Sequence, residues 1–280
     1  MHFASSPVFF EGKWVQGKDI SAATLYRLWA LNDGAFETLH FDGHHILWAE
    51  HHKARLLSAL TSLHLTFPED LHPIFHPNWG SQHLPNKAHT LRITCWRAGE
   101  GTYPSISDDC LWMLHLRDAV NPKFDQLMYC SQLHPVFLPA PPFPLEGKYP
   151  SQMYSKAAFG YPTGEEALLV RDAQYIMETP SANVFIETQD GFWLTPTLAS
   201  GCISGITRAR LMQLFHKMGF AVKESMVSMS TLQNARSCWL TNTSYGIRPL
   251  KHWEGRLLDP GPQETFRKLL YEDGIDAKTM

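Results

Sequence analysis

Glu166-Ala-Leu-Leu-Val-Arg-Asp-Ala-Gln-Tyr-Ile-Met-Glu-Thr-Pro-Ser-Ala-Asn-Val-Phe-Ile186 is the stretch on which the reading of this chain turns. Residues 167–170 are apolar and β-prone, residues 171–174 can turn, and residues 175–177 resume strand character, so the pattern predicts a hairpin. Glu178 then falls at the end of a strand, directly after an apolar run and ahead of a second one at 183–186. A carboxylate there either caps a turn or pairs with a cation, or it is an acid placed for chemistry. The local pattern leaves both readings open.

Working outward, the segment 7–15 reads as a hairpin with Glu11-Gly12 as its turn, and Phe36-Glu37-Thr38-Leu39 as an alternating strand. Residues 50–63 carry Ala54, Leu57, Leu60 and Leu63 near a 3.6-residue period, which predicts an amphipathic helix with its histidines and lysine on the other face. Arg55 lies within it. Residues 90–96 and 111–116 read as strands joined by the loop that starts at Arg97. Five prolines crowd into 134–147, a composition that resists helix and sheet alike and reads as a connector between domains. Domains are therefore expected at 1–120 and 148–280, with a connector over 121–147.

Beyond the opening stretch, Gly201-Cys-Ile-Ser-Gly205 leads into a helix over 206–218 with Leu211, Leu214, Phe215 and Met218 as its buried stripe and Gly219 as its stop. The first amides of such a helix, facing a glycine-containing loop, collect anions. Residues 221–226 and 237–241 read as strands around a short helix near Thr231, and 262–271 as a C-terminal helix.

The net charge of −3 supplies no basic field for nucleic acid and no polybasic patch for a membrane, and no apolar run approaches membrane-spanning length. The N-terminus lacks the basic and apolar regions of a secretory signal, and the five cysteines have no C-x-x-C spacing. A cytoplasmic protein with reduced thiols is expected. Fifteen histidines raise the question of a metal, but there is no H-E-x-x-H and the pairs at 44–45 and 51–52 share no helical face. No metal is expected.

Taken in order, Gly34-Ala-Phe36-Glu-Thr38-Leu, His52-Lys-Ala-Arg55-Leu56, Glu166-Ala-Leu-Leu-Val, Glu178 with Asn183 and Phe185, Gly205-Ile206-Thr207-Arg208, and Thr241-Asn-Thr243-Ser244-Tyr-Gly-Ile-Arg-Pro249 resemble the class IV, or fold type IV, pyridoxal-phosphate (PLP) enzymes. That family comprises branched-chain and D-amino-acid aminotransferases and aminodeoxychorismate lyase. The resemblance covers about residues 7–255 and implies an α+β / α/β fold of two domains with the cofactor in the cleft between them, in a homodimer.

The same resemblance implies the site. Lys148 would form the Schiff base with PLP and then move the proton at the substrate's Cα. Lys156 competes with it, but it falls inside a short helix expected over 151–159 and too close to Glu178 for the family order. Glu178 would keep the pyridine nitrogen protonated, so that the ring accepts electrons. Arg55, Ile206, Thr207 and Thr243 would hold the phosphate, a task that suits a planar guanidinium. Tyr154 would face the phenolic oxygen, although the asparagine and aromatic that usually follow the lysine are replaced here by Tyr149-Pro-Ser-Gln-Met-Tyr154. Phe36, Thr38, Arg97 and Ser244 would contact substrate. The segment after Arg97 lacks the second arginine that D-amino-acid aminotransferases and the lyase carry, so a substrate carboxylate falls to Arg97, to the 243–244 turn or to a partner chain. The implied activity is amino transfer between a small-molecule amino acid and a 2-oxo acid. The alternatives are 4-amino-4-deoxychorismate lyase, permitted by the Trp96 and Tyr103 flanks, and a degenerate homologue that binds PLP without turnover.

Overall fold

The computed structural model describes residues 6–76, 78–99, 107–119, 130–138 and 164–276. Lys148, Tyr154, Lys156 and the helix expected over 151–159 lie outside the described residues. The described residues form two compact units, one within 6–119 that also takes in 274–276, the other within 130–138 and 164–273.

The first unit is a five-stranded antiparallel sheet with helices on both faces. Its strands are β1 (Pro7–Phe10), β2 (Lys13–Gln16), β3 (Gly34–Phe41), β4 (His89–Arg97) and β5 (Cys110–Asp118), in the order β2-β1-β5-β4-β3. Glu11 and Gly12 both take positive φ, 49° and 76°, the backbone that a two-residue hairpin turn requires. Helix α1 (Ala22–Leu31) starts at Ser21, whose side chain accepts the Thr24 amide, and stops at Asn32 in the left-handed region. It buries Leu25 and Leu28 with Val8, Phe10, Trp96 and Met113 on one face of the sheet. On the other face lie helix α2 (Ala49–Ser62) and the short α3 (Trp79–His83), packed over Leu39, Leu91, Ile93 and Leu114.

Helix α2 lies close to where the periodicity predicted it, but turned. Its buried residues are His52, Arg55, Leu56, Ala59 and Leu60, whereas Leu57 is 47 % exposed and Ala54 is exposed too. The apolar period misplaced the face because two of its polar residues point inward, where they are satisfied by a carboxylate.

The second unit holds a three-stranded sheet, β6 (Gln132–Leu138), β7 (Glu165–Arg171) and β8 (Tyr175–Glu178), in that spatial order. It also holds a five-stranded sheet of β9 (Asn183–Glu187), β10 (Trp193–Pro196), β11 (Val222–Ser225), β12 (Ser237–Asn242) and β13 (Gly246–Pro249), ordered β11-β10-β9-β12-β13. Helix α4 (Ile206–Lys217) precedes β11, the short α5 (Met229–Gln233) precedes β12, and a ribbon of β14 (His252–Trp253) and β15 (Arg256–Leu257) leads to α6 (Gln263–Asp276).

The β7–β8 hairpin matches the reading from sequence, with Asp172 and Ala173 at φ 51° and 55° in its turn. The proline-rich segment is a correction: residues 132–138 form β6, paired in parallel with β7. Pro135 is tolerated because β6 is an edge strand, where a missing N–H need remove no ladder bond. Leu168, Val170, Ile176, Val184 and Leu240 share one core. On the far side of the five-stranded sheet Trp193 and Trp239 stack with Phe215 of α4 and Phe266 of α6, ring centroids lying 4.2–5.8 Å apart. Met218, expected in the buried stripe of α4, is instead 47 % exposed, since the helix proper ends at Lys217.

Candidate active site

Glu178 is the last residue of β8 and is 3 % exposed. Its Oε2 accepts a hydrogen bond from Asn183 Nδ2 at 3.0 Å and another from the Ile203 amide at 3.0 Å. The Asn183 amide also donates to the Ile203 carbonyl at 2.9 Å, so one side chain on β9 fixes both the acid and the loop that enters α4. Gly205, the N-cap of α4, sits so close that a Cβ there would come within 1.9 Å of Asn183 Oδ1. Only glycine permits this approach of the helix start to the Asn183 side chain. Burial first, and then the neighbouring Glu178 carboxylate, push the Cys202 thiol up to about 11, so it stays protonated and inert near neutral pH.

The start of α4 has no side-chain cap, and Ile206 and Thr207 supply amides that no carbonyl within the helix can accept. Thr207 is 2 % exposed, and its Oγ1 has no hydrogen-bond partner among the described residues. Thr241 pairs with Asn183 across β12 and β9, and its buried Oγ1 is likewise without a partner. Thr243 and Ser244 form the β12–β13 turn, shaped by Asn242 Oδ1, which accepts the Ser244 and Tyr245 amides at 2.9 and 3.1 Å.

In the first unit, Glu37 points from β3 toward α2. Arg55 grips it in a fork, Nε to Oε1 at 2.5 Å and Nη2 to Oε2 at 2.7 Å, while His52 Nδ1 stands 2.8 Å from Oε2 and the Thr38 amide donates to the same oxygen at 3.1 Å. Burial alone would raise the Glu37 carboxyl, but the charges of Arg55 and His52 and their hydrogen bonds outweigh it and hold the group well below the usual carboxylate range. A phosphate at Arg55 would share the guanidinium with Glu37, which five N–H donors allow.

Arg97 is more fully engaged. Its Nε faces Asp33 at 3.2 Å, Nη1 donates to the Ser107 carbonyl at 2.7 Å, and Nη2 donates to the Leu63 carbonyl at 2.5 Å. As placed it fastens loops, and a substrate carboxylate would have to displace those bonds. The reading from sequence passed over Arg92. That residue lies opposite His115 on β5 and Thr38 on β3, and its guanidinium carbon sits 3.8 Å from the centroid of the Phe36 ring. Among the described residues it has no carboxylate partner, and burial, with Arg117 close by, lowers its pKa to about 10. Cross-strand register creates this pairing, and linear spacing does not reveal it.

The class IV amino-transferase family model matches residues 34–253. The chain belongs to the class IV aminotransferase family. It is 30% identical over 122 residues to branched-chain-amino-acid aminotransferase-like protein 1 of Arabidopsis thaliana, an alignment covering 41% of this chain and 22% of that protein. It is also 30% identical over 117 residues to a D-alanine aminotransferase of Bacillus licheniformis, covering 41% of each. The chain thus spans well under two thirds of the curated relatives it matches. Among solved structures, a branched-chain aminotransferase from Thermoproteus uzoniensis superposes with a TM-score of 0.80 at 19% identity, covering 96% of both chains. The fold is that of the fold type IV aminotransferases.

The residues in place fit the family's cofactor. An uncapped helix start, the orphan hydroxyl of Thr207 and the Thr243 turn suit a phosphate monoester, and the buried Glu178 carboxylate suits a pyridinium. Among the described residues no three His, Cys, Asp or Glu side chains stand together as a metal would need.

Proposed function

We propose that the protein is a PLP-dependent aminotransferase that exchanges the amino group of an amino acid with a 2-oxo acid, working as a cytoplasmic homodimer. The observation that carries this reading is the buried Glu178 carboxylate, braced by Asn183 and the Ile203 amide where β8 ends. A protein that merely bound a phosphate compound would need the α4 start and the Thr243 turn but not an acid held at this depth. The cofactor, when bound, supplies an electron-accepting ring for chemistry at the substrate's Cα.

The chain's own residues divide the work. Ile206, Thr207 and Thr243 would hold the cofactor phosphate, a role the resemblance also gives to Arg55, and Glu178 would keep the ring nitrogen protonated. Lys148 would hold the cofactor through its amine and would serve as the base that moves the proton at the substrate's Cα, and Tyr154 would support the cofactor ring. Phe36, Thr38 and Ser244 line the substrate. Arg92 replaces Arg97 as the preferred anchor for a substrate carboxylate, because among the described residues no acid pairs with it, whereas Arg97 is committed to Asp33 and three backbone carbonyls. The five cysteines, none of them in a disulfide, support a reducing compartment.

The PLP-loaded protein is expected to shift its absorbance to the pyridoxamine form and release a 2-oxo acid when mixed with the right member of a panel of L- and D-amino acids. If no amino acid does so while aminodeoxychorismate yields pyruvate and 4-aminobenzoate, the lyase reading takes precedence. If neither reaction occurs although PLP binds, the protein is a binder without turnover.

A further inference from the structure

Two chains of contacts run from the turn after Glu178 to the turn that carries Thr243. Ser181 sits in the first turn, which is closed by the Thr179 amide donating to the Ala182 carbonyl at 2.8 Å and by Thr179 Oγ1 accepting the Ala182 amide at 3.0 Å. The Ser181 hydroxyl reaches both oxygens of Glu166 on β7, at 3.0 and 2.9 Å. Glu166 in turn pairs with Arg248 on β13, their side chains 17 and 13 % exposed. The guanidinium carbon of Arg248 lies 4.9 Å from the centroid of the Tyr245 ring. The second chain is shorter: the Ser181 carbonyl accepts Asn242 Nδ2 at 3.1 Å, and Asn242 Oδ1 shapes the 243–245 turn through two amides.

We propose that Arg248 is a positioning residue, which with Glu166 and Ser181 sets the turn carrying Thr243 and Ser244 in register with the turn that follows Glu178. The inference rests on the PLP reading above and deepens it by assigning a residue outside the site to the phosphate grip. Glu166 and Arg248 belong to different sheets, so their pairing fixes one sheet's strand against the other's hairpin. Both groups are largely desolvated, which makes the pair stiffer and less salt-screened than one on the surface. The fork of an arginine, unlike a lysine, also fixes orientation.

The test compares PLP with pyridoxal, which lacks the phosphate, by fluorescence titration of Arg248→Met, Glu166→Gln and the double variant. Each single variant is expected to bind PLP about tenfold more weakly, in keeping with the loss of a charge-assisted hydrogen bond, while pyridoxal affinity changes less than about twofold. The double variant is expected to be no weaker than the worse single one, because the two residues act as a unit. Equal weakening toward both compounds, or additive losses, would mean a merely structural pair and overturn the proposal. Should Arg248→Met fail to fold, Ser181→Ala removes only the linking hydroxyl and is expected to lower the PLP-to-pyridoxal preference in the same direction, an unchanged preference again overturning it. Wild-type protein that bound neither compound would remove the PLP reading and the inference together. Wild-type binding with unaltered variants would remove the inference alone.

Discussion

Glu178→Gln is expected to keep PLP bound and to lower the rate of amino transfer by about two or more orders of magnitude, the effect typical of removing a charge aimed at a reacting centre. Glutamine is nearly isosteric, and its side-chain oxygen can still accept from Asn183 Nδ2 and the Ile203 amide, which both donate to the acid now. The local fold should therefore survive. What is lost is the negative charge that would hold a proton on the ring nitrogen, and an amide N–H turned toward that nitrogen cannot replace it. Cofactor titration and single-turnover rates with the best amino donor measure the two halves of the expectation separately. Wild-type turnover in the variant would make Glu178 a structural acid.

The second large effect concerns folding. Glu37→Ala removes the carboxylate on which Arg55 and His52 both rest, and stripping one partner from a buried ion pair costs about 3–5 kcal/mol. The pH dependence follows from the direction of the shift. In the folded protein the Glu37 carboxyl lies below its ordinary value of 4.5, burial that would raise it being outweighed by Arg55 and His52. The group thus stabilises the fold fully above that ordinary value, and the contribution is lost as pH falls from there toward the lower folded value. Urea unfolding at pH 7 should show the full deficit of the variant, and the gap to wild type should narrow on acidification below about pH 4.5. A deficit under about 1 kcal/mol at pH 7, the scale of an exposed pair, would contradict the account.

Much of the second unit was legible because its signals are local. An apolar run, a turn and a second apolar run give β7 and β8, a glycine-bounded loop ahead of a helical period gives α4, and the strand-like segments at 221–226 and 237–241 give β11 and β12. The errors arose where tertiary partners override local pattern. Helix α2 turned its polar face inward because Glu37 satisfies Arg55 and His52, an arrangement that depends on a strand 15 and 18 residues away. Strand β6 formed in spite of Pro135 because it lies at a sheet edge. Arg92 and Arg248 were missed for a shared reason. Each owes its character to partners on other strands, Phe36 and His115 within the same sheet for the first and Glu166 in a different sheet for the second, and no spacing in the sequence records such pairings.

The central claim is that Lys148 carries the cofactor ahead of the Glu178 hairpin, and borohydride reduction of the PLP-loaded protein followed by peptide mapping tests it most directly. The account predicts a yellow protein whose reduced pyridoxyl group is recovered on the peptide containing Lys148. An adduct on Lys156, or no adduct at all, would contradict it.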